Sequence, residues 1–269
     1  MELAPVVLFI YNRVDTLSIT LESLSNNTLA QDTTLYIYAD GPKENATSSD
    51  IEKITAARKF AKSKKWCKEV YFLEKEHNLG LANSIISGVT EIVNKYGKVI
   101  VLEDDLELSP YFLNYMNDAL NVYEHEPKVW SIGACNFFST KKHTPETFFL
   151  PIISSWGWAT WSDRWKYFDY NAEKLLKEIQ EKKLEDKFNL NGAFDYIQLL
   201  QDQIQGRVSS WAICWYAQVF LHNAFTLFPK FSLVVHQLSQ EATHAKDFSP
   251  PVKFPSKPIK VIKQEVICL

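Results

Sequence analysis

The stretch KVIVLEDDLELSPYFLNYM, residues 98–116, places three carboxylates directly after a short apolar run. Residues 99–102 have the composition of a strand buried on both faces, and Glu103, Asp104 and Asp105 follow at its carboxyl end. Adjacent carboxylates repel one another, and the repulsion grows where solvation is reduced. The stretch therefore predicts either a solvated acidic turn or a site where a divalent cation such as Mg²⁺ or Mn²⁺ neutralises the charges.

The chain before this stretch alternates strand-like with helix-like segments. Continuous apolar runs, typical of buried strands, occupy residues 6–11, 34–39 and 70–73. Apolar residues at helical spacing predict helices around residues 17–24, over 51–61 and over 81–93. Such alternation is typical of an α/β fold, and we predict a mixed, mostly parallel sheet flanked by helices.

The pattern changes after residue 127. A further strand is predicted over residues 129–138, and one more strand or extended segment over 225–235. The stretch SSWGWATWSDRW, residues 154–165, crowds four Trp into what reads as a loop. Helices are predicted over residues 172–187, 194–205 and 211–223. Because we find no internal repeat and no clear linker, we predict one domain over residues 1–245 and an extended, Pro-containing tail over residues 246–269.

Composition excludes several classes of protein. The 269 residues carry a net charge of −3, which gives no electrostatic footprint for nucleic acid. The four Cys are scattered without the spacing of a zinc site, which favours a reduced, intracellular protein. The apolar run near the start is too short to span a membrane. We therefore expect a cytoplasmic protein, and association with the inner face of a membrane stays open.

Polar side chains follow each of the first four predicted strands. In open α/β sheets, ligands bind beyond the carboxyl ends of the strands. The residues at these ends are Asn12, Arg13, Asp40, His77, Asn78 and the acidic triplet Glu103, Asp104 and Asp105. Each could be a solvated loop residue by itself, but their convergence at one edge of the sheet predicts a binding site.

Five segments carry a resemblance to a known family. IYNR, YADGP, HNLGLANSI, VLEDDLELSPYFLNYM and SSWGWATW occur in this order. Together they resemble GT-A fold nucleotide-sugar glycosyltransferases, of the bacterial family 2 type and, more distantly, N-acetylglucosaminyltransferase I. The resemblance implies a GT-A (Rossmann-like) fold and a metal-dependent, inverting transfer of a hexose or N-acetylhexosamine. The donor would be a nucleotide sugar, UDP-linked in the first instance, and the acceptor a glycan or lipid-linked glycan in bacterial surface polysaccharide biosynthesis.

The resemblance implies roles for four residues on the donor side. Arg13 would meet the ribose or diphosphate, and a guanidinium suits bidentate phosphate contact. Asp40 would accept a hydrogen bond from the uracil ring, although an Asp before Gly-Pro is also a common turn residue. Gly80 and Asn83 belong to the segment that covers the base or sugar, which could equally be a helix start capped by Asn78.

The resemblance also divides the acidic triplet by role. Asp105 would be the direct metal ligand, whereas Glu103 and Asp104 would address the ribose and sugar of the donor. Mn²⁺ is the expected ion, with Mg²⁺ as the alternative. His244 is a candidate second ligand, and His236 is a weaker alternative to it.

Acceptor binding is predicted at the Trp-rich stretch. Trp156 and Trp158 could stack on the apolar face of a sugar ring. The alternative is that these side chains are core, and we expect this for at least two of the four Trp in the stretch.

The catalytic base is the point at which the chain departs from the resemblance. Where N-acetylglucosaminyltransferase I has carboxylates, this chain has Ala212 and Ile213. Asp202 and Glu241 are the candidates for the carboxylate that deprotonates the acceptor.

The missing carboxylates leave open the alternative of a catalytically degenerate protein, which binds a nucleotide sugar or glycan without transferring the sugar. A nucleotidyltransferase is disfavoured because no Gly-rich loop follows the first strand, and a receiver-type module because its acids would follow the first strand in a much shorter chain.

Overall fold

The computed structural model describes residues 2–137, 143–237 and 254–266. Its strands are β1 (Val6–Ile10), β2 (Thr34–Ala39), β3 (Glu69–Glu74), β4 (Lys98–Glu103), β5 (Leu106–Leu108), β6 (Val129–Gly133), β7 (Thr147–Leu150), β8 (Trp158–Trp161), β9 (Phe225–Pro229) and β10 (Val234–His236). Its helices are α1 (Val14–Ser25), α2 (Ser48–Ala61), α3 (Leu81–Tyr96), α4 (Phe112–Val122), α5 (Ser162–Trp165), α6 (Ala172–Glu181), α7 (Glu185–Phe188), α8 (Tyr196–Ile204) and α9 (Trp211–Leu221).

Eight strands form the central sheet, in the order β3-β2-β1-β4-β8-β6-β9-β7. Strands β3, β2, β1 and β4 run parallel, and so do β6 and β9. Strand β8 is antiparallel to both of its neighbours, and β7 is antiparallel to β9. The predicted α/β fold with a mixed, mostly parallel sheet flanked by helices is confirmed.

Helices cover both faces of the parallel strands, which explains why these strands read as continuous apolar runs. In β1, Val6, Leu8 and Ile10 enter a core that also holds the buried residues of α1, α2 and α4. Val7 and Phe9 point to the opposite face and pack in a second core with α3 and α9. Since both faces are buried, neither set of alternating positions is polar.

The Trp-rich stretch, predicted as a loop, contains strand β8 and the short helix α5. Strand β8 lies between β4 and β6, with Trp158 packed in one core and Trp161 in the other. Gly157 precedes β8 with a φ of +62°, a conformation that residues with a Cβ seldom adopt. A run with large apolar groups on both faces has no polar alternation, so its strand character was hidden in the sequence.

Three other predicted elements differ from the structure. Residues 225–235 form two strands, because β9 ends at Pro229 and β10 pairs with β5 in a separate two-stranded sheet. The helix predicted over 172–187 is interrupted between α6 and α7, where Lys183 has a φ of 54°. The strand predicted over 129–138 ends at Gly133.

Part of the predicted tail packs against the domain. The Tyr123 hydroxyl donates to the carbonyl oxygen of Ile262 at 3.1 Å and accepts from the backbone N–H of Gln264 at 3.1 Å. The Gln264 side-chain amide also donates to the Thr147 hydroxyl at 3.0 Å.

Within the described residues, none of the helices is both long enough and apolar enough to cross a lipid bilayer.

Arg164 is a buried cation that stabilises the end of α4. Its guanidinium donates to the carbonyl oxygens of Tyr123 and Glu126, which follow the last turn of that helix. It also lies 4.6 Å from the ring centroid of Trp161. A cation is favourable at a helix carboxyl terminus, where several carbonyl groups lack partners within the helix.

We expect Arg164→Met to lower the free energy of unfolding by about 2 kcal/mol, because several charge-assisted hydrogen bonds disappear while most of the side-chain packing is kept. Chemical denaturation monitored by tryptophan fluorescence would measure this. Lys166→Met is the matched control, because Lys166 is an exposed cation two residues away. Equal stability of Arg164→Met and wild type would contradict the assigned role.

Candidate active site

A cavity of about 330 Å³ opens at the carboxyl ends of β1, β2 and β4. Phe9, Ile10, Tyr38 and Leu81 make much of its wall apolar. The predicted site residues that line it are Arg13, Asp40, Gly80, Glu103 and Asp104. An apolar cavity of this size with a few converging polar groups has the usual make-up of a small-molecule site.

Arg13 bridges two of the three carboxylates of the acidic triplet beside this cavity. Arg13 is the N-cap residue of α1, three residues after the end of β1. Its guanidinium forms an ion pair with Asp104 and a second one with Asp105, the latter at 3.0 Å. The backbone N–H of Tyr11 donates to Asp104 at 3.3 Å. Both aspartates are buried, so the strand end concentrates charge out of contact with water.

His236 contacts the same carboxylate oxygen of Asp105 as Arg13 does. Strand β10 pairs with β5 so that His236 lies opposite Leu106, the residue after Asp105. The imidazole Nε2 is 3.2 Å from the Asp105 carboxylate. The backbone N–H of Gln237 donates to the Asp105 carbonyl at 2.7 Å, which fixes the two segments to each other.

The acidic triplet carries more negative charge than its surroundings balance. Burial, followed by the charges of Asp105 and Asp104, raises the pKa of Glu103 to about 8. Burial raises the pKa of Asp104 to about 6, against the opposing effect of Arg13. Burial also acts to raise the pKa of Asp105, but the hydrogen bond with His236 and the charge of Arg13 outweigh it and hold that pKa below its usual value. A further cation at this position would therefore be favourable.

Both oxygens of the Asp40 carboxylate accept hydrogen bonds from nearby backbone and side-chain groups. One oxygen accepts from the backbone N–H groups of Gly41 at 2.9 Å and Leu79 at 2.8 Å. The other accepts from the Gly80 N–H and the Asn78 side-chain amide, both at 3.0 Å. Asn78 is therefore bound to Asp40 and does not cap α3, whose N-cap is Gly80 without a side-chain cap.

Trp156 and Trp158 have different environments. Trp158 is 1% exposed and stacks on Trp211 inside the core, so it has no face open to a sugar. Trp156 is half-buried, and its ring stacks on His236 with 4.6 Å between centroids. The prediction of an acceptor contact is therefore wrong for Trp158 and stays a prediction for Trp156. The expectation that at least two of the four Trp are core is confirmed, since Trp161 and Trp165 are buried as well.

A family model describes the first part of the chain. The model of the GNT-I family matches residues 1–167 and includes all of the cavity-lining residues and the acidic triplet. The chain belongs to the GNT-I family. It is accordingly a glycosyltransferase, and the resemblance drawn from the sequence is confirmed. Family membership and sheet topology together agree with the predicted GT-A (Rossmann-like) fold.

Solved structures similar to this GNT-I family member are distant in sequence. The mannosyltransferase PcManGT from Pyrobaculum calidifontis, solved with GDP-Man and Mn²⁺, is 10% identical over 81% of this chain and 69% of that chain, with a TM-score of 0.43. TarS from S. aureus is 12% identical over 90% of this chain but 37% of that chain, with a TM-score of 0.46. Mouse xyloside xylosyltransferase 1 is 11% identical over 84% of this chain and 83% of that chain, with a TM-score of 0.43. None of the curated proteins compared with the sequence matches it.

The remaining candidate residues of the GNT-I family member lie away from this cavity or outside the described residues. Asn83 is exposed on the first turn of α3 and donates to the Leu79 carbonyl at 3.0 Å. Asp202 lies on α8 and accepts from Arg207 Nε at 2.9 Å and from Gln198 at 2.8 Å, and these hydrogen bonds hold its pKa below the usual value. Glu241 and His244 fall outside the described residues.

His236 and Phe137 have positions that the local sequence does not indicate. His236, ranked below His244 as a ligand, is the histidine that contacts Asp105. Phe137 is 54% exposed, and its ring centroid lies 5.0 Å from that of Trp156. The position of His236 depends on long-range pairing between β10 and β5, which leaves no local signal. Within the described part of the chain, no group of three or more His, Cys, Asp or Glu is arranged to hold a metal ion.

Proposed function

We propose that this protein transfers a sugar from a nucleoside diphosphate donor, UDP-linked in the first instance, to a hydroxyl of a glycan or lipid-linked glycan. The transfer would invert the anomeric centre and depend on Mn²⁺ or Mg²⁺. The observation that carries the proposal is the cavity at the strand carboxyl ends, which joins apolar walls to the Arg13–Asp104–Asp105 cluster. Apolar walls suit a base and ribose, and a guanidinium suits phosphate oxygens.

The residues at the triplet fit a divalent cation. Asp105 supplies a carboxylate with a lowered pKa, and His236 supplies an imidazole nitrogen 3.2 Å from it. Carboxylate oxygen and neutral imidazole are acceptable ligands for Mn²⁺, and such sites commonly take further oxygens from substrate phosphates. A bound divalent cation would supply positive charge to offset the charge that develops on the leaving nucleoside diphosphate. We propose Asp105 and His236 as its protein ligands, with His244 as an alternative.

Glu103 and Asp104 are proposed to contact the donor sugar and ribose. Both line the cavity, and burial together with the neighbouring aspartates raises the pKa of Glu103. Arg13 would exchange contacts with the aspartates for contacts with the diphosphate. Lys43, an exposed cation on the wall, adds positive charge there.

The acceptor side is proposed to include Trp156, which is half-buried and stacked on His236. Asp202 and Glu241 stay the candidates for the general base. The Asp202 carboxylate accepts a hydrogen bond from Arg207. For Asp202 to act as the base, the acceptor hydroxyl would have to bind next to α8. A lipid-linked acceptor in bacterial surface polysaccharide biosynthesis would place the reaction at the cytoplasmic face of the membrane.

Calorimetric titration of UDP and GDP into the purified protein, with and without Mn²⁺, tests the donor site. The expected result is metal-dependent binding of UDP with a dissociation constant in the micromolar range, about −7 to −8 kcal/mol. Absence of binding for both nucleotides under every metal condition would contradict the proposal. Binding without hydrolysis or transfer of any UDP-sugar would favour the degenerate, non-catalytic alternative.

A further inference from the structure

The indole ring of Trp156 lies flat against the imidazole ring of His236. The two ring centroids are 4.6 Å apart, and the ring planes differ by 15°. We propose that Trp156 is a positioning residue of the metal site, which holds the His236 imidazole in the plane that directs its Nε2 at the cation. This inference rests on the proposed function, and it adds a second task to the acceptor contact proposed for the same side chain.

The first step is the orientation of the imidazole. An imidazole binds a metal ion through a nitrogen lone pair in the plane of its ring, so the orientation of the ring decides whether the ion is reached. Trp156 covers a face of the ring, whereas both nitrogens lie on its edge. At that edge, Nε2 of His236 is 3.2 Å from Oδ2 of Asp105. Without the indole, the imidazole could turn about its two side-chain torsions, and fixing it on metal binding would cost conformational entropy.

The second step is the electrostatic effect of the stacked ring. The face of an indole carries the negative part of its quadrupole, and among aromatic side chains it attracts cations most strongly. An imidazole that binds a divalent cation acquires part of the positive charge of the ion. The contact with Trp156 should therefore become more favourable when the metal binds, which an aliphatic side chain of similar bulk would not provide.

The third step is the Trp-Gly-Trp spacing, which places the two indoles in different environments. Trp158 is 1% exposed and stacks on Trp211 in one core, whereas Trp156 packs against the core on the other face of the sheet. Residues two apart in a regular strand share a face. Gly157 departs from strand geometry with a φ of +62°, so the chain can direct one ring into the core and the other onto His236.

Backbone contacts fasten this turn to β10. The Gly157 carbonyl accepts from the Ala134 N–H at 2.8 Å, and the Ala134 carbonyl accepts from the Leu233 N–H at 2.9 Å. Leu233 directly precedes β10. A Cβ at Gly157 would lie 3.0 Å from Cγ1 of Val234, a residue of β10, so the turn packs closely against that strand. The main chain therefore fixes the positions of the two stacked rings relative to each other.

The test measures Mn²⁺ affinity by electron paramagnetic resonance of the free ion, with and without UDP and in the absence of any acceptor. Trp156→Leu keeps apolar bulk without a ring, and it should weaken Mn²⁺ binding about 10-fold, as expected for a partner that orients a metal-binding histidine. Trp156→Phe keeps a smaller ring and should lose about 2- to 3-fold. Both variants are repeated in a His236→Ala background, where neither should cause a further loss.

Phe194→Ala is the matched control for removal of an aromatic side chain. Phe194 is 54% exposed, and its ring contacts Tyr196. This variant should bind Mn²⁺ like wild type. An acceptor contact alone would also leave Mn²⁺ affinity unchanged, because no acceptor is present in the measurement.

Two results would overturn the inference alone. One is a Trp156→Leu variant that binds Mn²⁺ as tightly as wild type, and the other is an equal loss in the His236→Ala background, since Trp156 would then not act through the imidazole. If Trp156→Leu does not fold, the same comparison with Trp156→Phe decides. Wild type that binds no Mn²⁺, or His236→Ala that binds it as tightly as wild type, would contradict the proposed metal site itself, and the inference would fall with it.

Discussion

Replacing Asp105 by asparagine is expected to lower the rate of sugar transfer by about 10³-fold or more. The substitution removes the carboxylate that has the lowest pKa of the triplet and contacts both Arg13 and His236. Losing one preorganised electrostatic group in an active site commonly costs about 10²- to 10³-fold, and loss of a metal ligand adds to this. The measurement is single-turnover transfer or hydrolysis of a UDP-sugar, together with Mn²⁺ titration.

The fold of Asp105→Asn should be retained, because asparagine has the same shape and removes like-charge repulsion with Glu103 and Asp104. Asp32→Asn is the matched control: Asp32 is exposed and precedes β2, at the opposite edge of the sheet. Near-normal turnover and metal dependence in Asp105→Asn would contradict the assignment of Asp105 as a metal ligand.

Replacing Glu103 by glutamine is expected to stabilise the free protein and to impair transfer. Burial and the neighbouring aspartates raise the pKa of Glu103 to about 8, whereas an unfolded chain leaves it near 4.5. Between these pH values the folded state holds a proton that the unfolded state releases, so this residue lowers stability progressively as the pH rises from about 4.5 to 8. Glutamine removes this dependence. We expect Glu103→Gln to be about 1–3 kcal/mol more stable at pH 8 and close to wild type at pH 4.5.

Denaturation at both pH values, without added metal, would measure this difference. The control is Glu44→Gln, which makes the same change at an exposed loop position. Sugar transfer by Glu103→Gln should fall in parallel, because the group that destabilises the free protein is the one proposed to contact the donor. A stability difference that is absent at pH 8, or equal at both pH values, would show that Glu103 is not forced to hold its proton.

The parallel half of the sheet could be predicted because each of its strands has a recognisable local sequence pattern. Strands covered on both faces are apolar throughout, and polar residues appear where they end, as at Arg13, Asp40 and the acidic triplet. The position of the cavity followed from that pattern and from the rule that ligands bind at strand carboxyl ends.

The antiparallel part could not be predicted in the same way. Strand β8 is a run of large and small residues buried on both faces, which resembles a Trp-rich loop when read locally. The contact of His236 with Asp105 depends on pairing between β10 and β5, more than 120 residues apart along the chain. The hydrogen bonds of Asp40 depend on where three backbone N–H groups point, and side-chain identity does not encode that.

The short sheet formed by β5 and β10 makes the spacing of the chain part of the proposed metal site. Side chains alternate between the two faces of a strand, so a slip of one residue in β10 would turn His236 away from Asp105 and present Val235 or Gln237 instead. Residues 230–233 set that register, since they join β9 in the main sheet to β10. Most surface connections accept an added or deleted residue at little cost. If His236 is a metal ligand as proposed, this connection should not, and its length would matter to the site as much as the imidazole itself.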